Sequence, residues 1–392
     1  MTTDAPAAKK VLPIIVFAQF ACTSLWFAGN AVLPELQLAF HLPPGSLGNL
    51  TSSVQLGFIL GTLLFALLTI SDRYSPSRVF FACAVAGALA NLSIAFVASP
   101  FLLFLLRGMV GFFLAGIYPV GMKISADYHE KGLGKALGYL VGALVVGTAS
   151  PHLIRMLGAT LDWHFVIYAT SALALLGGAI VYFLVPDGPF RRQGGKLDLR
   201  LCFNVFKEKD FRGAAFGYFG HMWELYTLWA FVPFILTKYN ALTGAQLNVP
   251  LWSFLTIASG GVACVLGGHW AEKRGSKATA FLALALSCLC CVFSVFFFQA
   301  PAFLFLAFMV TWGMAVVADS PQFSTLVAKH APHEARGTAL TIVNSIGFAI
   351  TIFSLQSMTV LMEHLPPPLA FTSLALGPLL GLMALGRPSS TG

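Results

Sequence analysis

Two stretches of this sequence follow one plan some 202 positions apart. The first runs from Leu105 to Gly138. It opens apolar, carries one arginine (Arg107), then a ladder of small residues at Gly108, Gly111, Ala115 and Gly116. Tyr118-Pro119, a basic exit at Lys123 and a charged turn come next, leading into Gly134-Lys135-Ala136-Leu137-Gly138. The second stretch repeats Gly111 as Gly313 and Pro119 as Pro321. Its charged turn holds Lys329, His330, His333, Glu334 and Arg336, and Gly337-Thr338-Ala339-Leu340 reopens the apolar run. A repeat of that length requires two similar halves, each with several hydrophobic segments.

With 57% hydrophobic and 10% charged residues, the chain has too little polar surface to cover a water-soluble fold, so lipid must serve as its solvent. Apolar runs of spanning length read as Val11–Leu33, Asn49–Ser71, Arg78–Ala98, Phe101–Lys123, Gly134–Met156 and Trp163–Val185, then Gly213–Leu236, Leu247–Ala271, Ala278–Gln299, Ala302–Ala328, Thr338–Met362 and Leu369–Leu385. The first is too long for a signal-peptide core and is expected to be retained. The sequence therefore predicts an all-α membrane protein of twelve transmembrane helices in two pseudo-symmetric six-helix halves, 11–185 and 213–386. A tail (1–10), a connector (186–212) and a second tail (387–392) complete it. Six of the seven cysteines lie inside apolar runs, and none has the neighbours of a metal site, so they are expected to be small core residues.

The net charge of +8 reports topology and not a nucleic-acid partner. Of 23 lysines and arginines, all but Arg107, Arg155 and Lys238 fall on one side of the spans just assigned. Short loops this lopsided mark that side as cytoplasmic. Both termini and the connector are then expected inside, in a bacterial cytoplasmic membrane.

Two loops carry a further pattern. Gly268-His269-Trp270-Ala271-Glu272-Lys273-Arg274-Gly275-Ser276-Lys277 lies between the eighth and ninth spans. A weaker copy, with Asp72, Arg73 and Arg78 but neither glycine, lies between the second and third. With Arg107 in the fourth span, this chain resembles the major facilitator superfamily over nearly its whole length. The resemblance implies a secondary transporter that exposes one site alternately to each side, with the acid and cations of these loops as gating residues. The fifth span resembles a partial copy of the family's exporter motif. Gly138 and Gly147 are kept, Ser150-Pro151 replaces Gly-Pro, and His152 departs from the pattern, which weighs against drug antiport. Gly220-His221-Met222-Trp223-Glu224-Leu225-Tyr226 resembles bacterial members grouped near nitrate and cyanate porters. The second and eighth spans lack the arginine that nitrate porters use, which disfavours nitrate.

An ionisable residue at the centre of a span costs about 2.5–3.5 kcal/mol on insertion scales, so each needs a partner or a function. Three stand out: Arg107, Glu224 and Asp319. Glu224 lies about 18 Å along its helix from Arg212, and Asp319 about 15 Å from Lys329, at 1.5 Å per residue. Arg107 sits nearer the outer side. Shielded from water, a carboxyl favours its neutral form, which suits a proton carrier. Glu224 is the first coupling candidate, with Asp319 and His221 beside it in the reading. The bland alternative for Arg107 and Asp319 is a buried pair or hydrogen-bonded knot that holds helices. Candidates to line a solute site are Arg107, Trp26, Asn30, Tyr118, Trp223, Tyr226 and Asn344, although aromatic residues also pack and anchor spans. His221 and Glu224, one turn apart, give too few ligands for a metal site. The phosphate-loop, zinc-protease and serine-hydrolase motifs are absent.

The reading is a secondary transporter of a small solute, proton-coupled and monomeric, without cofactor and not an enzyme. The alternative is a sensor or assembly factor on the same scaffold.

Overall fold

The computed structural model describes residues 6–128, 133–191, 205–332 and 336–386. Most of the connector with Arg192, Lys196, Arg200 and Cys202, the turn residues Lys131, His333 and Glu334, and the tail from Arg387 lie outside the described residues.

The chain divides into two compact units, Met1–Leu197 and Asp198–Gly392. In the first, α1 (Pro6–Thr23), α2 (Ser46–Leu67), α3 (Pro76–Ser93), α4 (Pro100–Tyr128), α5 (Leu133–Leu157) and α6 (His164–Leu184) form one six-helix set. The second holds α7 (Lys209–Thr243), α8 (Val249–Arg274), α9 (Ser276–Phe297), α10 (Ala302–His330), α11 (Arg336–His364) and α12 (Pro367–Leu385). Ten of these are long and apolar enough to cross a bilayer. The other two, α1 and α7, stand first in each set. The apolar part of α1 is shorter, from Lys10 to Thr23, and α7 carries polar side chains such as His221, Glu224 and Lys238 along its length. The protein is an all-α, integral multi-pass membrane protein of twelve helices.

Both units pack in one pattern. In the first, α2 lies along α4, α1 along α6 and α1 along α5; in the second, α8 lies along α10, α7 along α12 and α7 along α11. The sequence repeat is built into these seams. A Cβ on Gly111 would collide with the Val54 carbonyl of α2, and one on Gly313 with the Thr256 carbonyl of α8. Val54 and Thr256 are themselves 202 positions apart. Three residues on, Gly57 meets the Gly108 carbonyl, whereas in the second unit Ser259 donates its hydroxyl to the Val310 carbonyl at 3.4 Å. Small residues let the backbones approach, which is what drives helix pairing in lipid.

The helices depart from the sequence expectation in three places. The first span ends as a helix at Thr23 instead of Leu33, giving way to turns, a 3-10 turn at Asn30–Val32 and a short helix, Leu33–Ala39. Thr23 and Ser24 donate their hydroxyls to the Gln19 and Ala21 carbonyls (2.8 and 2.6 Å), a local bonding pattern that loosens a helix. In contrast α7 is 35 residues long and outruns the expected Gly213–Leu236 at both ends. Its end is capped by Gly244 at φ 72°, a left-handed turn suited to glycine. The repeated prolines break both long spans. α4 is interrupted between Leu114 and Tyr118, and α10 at Asp319. Pro321 has no N–H to offer Val317, four residues back; the Cys264 thiol of α8 donates to that carbonyl at 3.4 Å. This break puts Asp319 at a junction between helices, inside the protein.

Candidate functional site

In the second unit, α7 and the α10 junction bring three ionisable side chains out of water. His221 and Glu224 are both 1% exposed and Asp319 is fully buried. His221 Nδ1 lies 2.8 Å from Asp319 Oδ1, and its ring packs between Tyr218 and Phe323, with centroids 5.9 and 6.0 Å away. One turn along α7, Glu224 Oε1 accepts two hydrogen bonds of 2.6 Å, from the Ser287 hydroxyl of α9 and the Trp312 indole of α10. Cys291 lies beside the same carboxyl. Glu224 Oε2, Asp319 Oδ2 and His221 Nε2 have no hydrogen-bond partner among the described residues. The arrangement can hold protons at three adjacent groups. It joins Glu224, Asp319 and His221, the coupling candidates of the sequence.

Among the described residues of the first unit the fully buried charged side chain is a cation. Arg107, fully buried on α4, donates through Nη1 to the Leu25 carbonyl at 3.0 Å and to Asn91 Oδ1 at 3.3 Å, and through Nη2 to the Trp26 carbonyl. Those two carbonyls belong to the unwound stretch after α1, where helical bonding has stopped. The guanidinium thus completes a break in α1 and ties it to α3 and α4. Asn91 in turn donates to Thr170 and Ser171 of α6 at 3.1 and 3.0 Å. Asp319 has His221 as its neighbour, and the partners of Arg107 are carbonyls and an amide.

The remaining lining candidates disperse. Trp26 is buried with its ring 5.1 Å from Phe58. Asn30 donates to Thr51 of α2 at 2.8 Å. Tyr118 stands half-buried at the start of the second segment of α4. On α7, Trp223 is half-buried against Gly377 of α12 and 5.9 Å from Phe353, which is 66% exposed, so it faces the outside of the bundle. Tyr226 is buried, its ring edge-on to Trp229 and tilted against Phe348, with centroids 5.3 Å away in each case. Asn344 is half-buried on α11.

At the loop between α2 and α3, Asp72 pairs with Lys123 of α4 at 2.6 Å, while Arg73 and Arg78 are exposed. Arg191, beyond α6, reaches the Tyr74 carbonyl at 2.7 Å and Asp187 at 2.5 Å, and Ser75 donates to Asp187 at 2.6 Å. In the second copy Glu272, Lys273 and Lys277 are exposed. Gly275 ends α8 at φ 84°, a conformation that explains its glycine. Gly268 has open space around it; the glycine that approaches α10 is Gly267, 3.1 Å from the Ala318 carbonyl by a built Cβ.

The sequence profile of the Major Facilitator Superfamily matches residues 15–387. The chain belongs to this superfamily. It is 22% identical over 341 residues to a bicyclomycin resistance protein homolog of Haemophilus influenzae, covering 81% of this chain and 80% of that one. It is 22% identical over 212 residues to the MFS-type transporter YybF of Bacillus subtilis, covering 53% of this chain and about half (52%) of that relative. In fold it resembles the proton:xylose symporter XylE bound to 6-bromo-6-deoxy-D-glucose, with a TM-score of 0.75, 15% identity, and 97% and 95% of the two chains covered. Membership places the protein among transporters and not among enzymes.

Against the superfamily's patterns, the Ser150-Pro151 departure has a local explanation. Pro151 leaves the Gly147 carbonyl without its helical donor, and the Ser150 hydroxyl supplies one at 2.7 Å. Sequence reasoning missed Ser287, Trp312 and Asn91, which bond the buried ions. Asn91 was detectable as a lone amide in an apolar run; Ser287 and Trp312 look like ordinary packing residues until their neighbours are known.

Proposed function

We propose that the protein is a secondary active transporter that moves a small solute by alternating access and couples it to protons, with Glu224 as the coupling carboxylate. The buried cluster of Glu224, His221 and Asp319 carries this reading: two carboxyl groups and an imidazole, each at most 1% exposed, with open acceptor atoms. An enclosed carboxylate keeps its charge only at a cost, and taking up a proton removes that cost. Glu224 then loads a proton from one side and crosses neutral, and His221 and Asp319 exchange protons next to it. A purely structural knot would have no need of three titratable groups, two of them one turn apart on α7 and the third 2.8 Å from His221 at the α10 junction.

The charge distribution supports a cytoplasmic location for both termini and for the connector 186–212, between rigid halves 11–185 and 213–386, in a bacterial cytoplasmic membrane. The loop residues Asp72, Arg73, Arg78, Gly268, Glu272, Lys273, Gly275 and Lys277 act as gating elements in this reading. The Asp72–Lys123 pair (2.6 Å) lies within the first half and holds its loop to that half, while exposed cations of both loops, such as Arg73, Arg78 and Lys273, form and break pairs as the halves rock.

Once a ligand screen has supplied a solute, Glu224→Gln tests the coupling. It fixes the neutral state while keeping size and hydrogen-bonding capacity. In liposomes with an imposed pH gradient, accumulation should collapse while solute exchange without net proton movement persists. A Gln variant that accumulates solute with normal pH dependence would return Glu224 to a structural role.

A further inference from the structure

A cleft opens at the end of the second unit where α7 and α9 begin and α10 and α12 finish. Lys209 and Arg212 of α7, Lys277 of α9 and His330 of α10 line it, with Asp210 as the one acid. Three fixed cations thus face one carboxylate. The floor is apolar: Leu326 of α10 and Leu385 of α12 line the cleft and are 5% and 3% exposed. Arg212 is held in place through Nη1, which donates to the Lys207 and Phe206 carbonyls at 3.1 and 3.3 Å.

We propose that this cleft binds the headgroup of an anionic phospholipid. Loop charges alone orient a membrane protein wherever they lie near the spans, and Arg73, Arg78, Lys273 and Arg274 stand exposed in that way. The cations here instead converge from two helices over a buried apolar floor, the form of a headgroup pocket between transmembrane helices. The residues one turn beyond Arg212 and Lys277 select a lipid over a free anion. Phe216 is four residues after Arg212 and 50% exposed, and Phe281 is four residues after Lys277 and 43% exposed. Four residues is one turn on the same helix face, about 6 Å deeper into the bilayer. The Phe281 ring reaches within 3.9 Å of a Cβ built on Gly386, at the end of α12. Each side of the cleft therefore presents a cation at headgroup level and an aromatic ring below it, where acyl chains run. This inference rests on the placement of that end at the cytoplasmic leaflet and is independent of the coupling role of Glu224.

The test uses the delipidated full-length protein in neutral detergent, titrated with dioleoylphosphatidylglycerol, dioleoylphosphatidylcholine or inorganic phosphate and followed by native mass spectrometry and thermal shift. Phosphatidylglycerol should be retained and raise the melting temperature; phosphatidylcholine and phosphate should do neither at equal concentration. Removing two cations in Arg212→Gln with Lys277→Gln should weaken phosphatidylglycerol about thirtyfold, whereas Lys238→Gln, outside the cleft, should change nothing. If the double variant does not elute as a single species, Lys277→Gln alone, at an exposed position, should give about a fivefold loss. Unchanged phosphatidylglycerol binding in a folded variant would overturn the site. Equal binding of phosphatidylcholine would overturn the charge selection, and protection by phosphate alone would overturn the lipid.

Discussion

At the scale of single residues, the two units solve the same problem with opposite charges. Arg107 in the first and Glu224 in the second are both buried, and each bonds to groups on two neighbouring segments. Their energetic roles differ. Among the described residues Arg107 meets no carboxylate; two of its three bonds go to backbone carbonyls left over where α1 unwinds and the third to the Asn91 amide, so the charge substitutes for missing helical donors. Arg107→Lys keeps the charge and loses the planar fork that reaches Leu25, Trp26 and Asn91 together. With each hydrogen bond to a charged group worth about 1.5–3 kcal/mol, the lysine variant should melt several degrees lower in detergent and lose most of its transport. Asn91→Ala, which removes one of the three bonds to the guanidinium, should cost less. Full stability and activity in Arg107→Lys would show that the fork is dispensable. The sequence revealed the buried ions because charge in an apolar run is conspicuous. It did not reveal their partners, since a backbone carbonyl, a serine or an indole carries no mark of what it will bond.

At the scale of helices, much was legible because lipid restricts the choices. Spans must be helical and long, so hydropathy located twelve of them. The repeated glycines fell on matching seams because close backbone approach excludes a side chain at the same point in each half. The ends were less legible. α1 stops ten residues early because hydroxyls and Arg107 compete for its carbonyls, an effect of tertiary bonding that hydropathy does not contain. In the α8 loop motif an added Cβ at Gly268 would meet open space, whereas the neighbouring Gly267 is the one that approaches α10. These contrasts give a mutational ranking. Gly111→Ala and Gly313→Ala each drive a methyl into a backbone carbonyl that cannot rotate away, and should destabilise by about 1–3 kcal/mol. Gly268→Ala has room and should be neutral or slightly stabilising, because alanine favours a helix over glycine. Thermal unfolding of the three purified variants checks the order; a Gly313→Ala protein as stable as the parent would mean that the α8–α10 seam can open without cost.

At the scale of the whole molecule, the orientation in the membrane rests on a single physical asymmetry, the placement of basic residues. Twenty of 23 lysines and arginines lie on one side of the assigned spans, and translocating them would oppose the rule that holds positive loops in the cytoplasm. The connector is the most informative place to test this, since its sidedness fixes that of both halves at once. Six cysteines are buried (Cys22, Cys83, Cys264, Cys288, Cys290 and Cys291), so a thiol introduced elsewhere can be read against a quiet background once Cys202 is replaced. In that background, Gly195→Cys should resist a membrane-impermeant maleimide added to intact cells and react within minutes after the cells are opened. A parallel Lys238→Cys variant, on the side with the fewest basic residues, should show the reverse. Both outcomes together fix the orientation, because a thiol that is merely buried would label on neither side. Rapid labelling of Gly195→Cys from outside would invert the molecule, and would carry the cleft at Arg212 and Lys277 to the opposite leaflet with it.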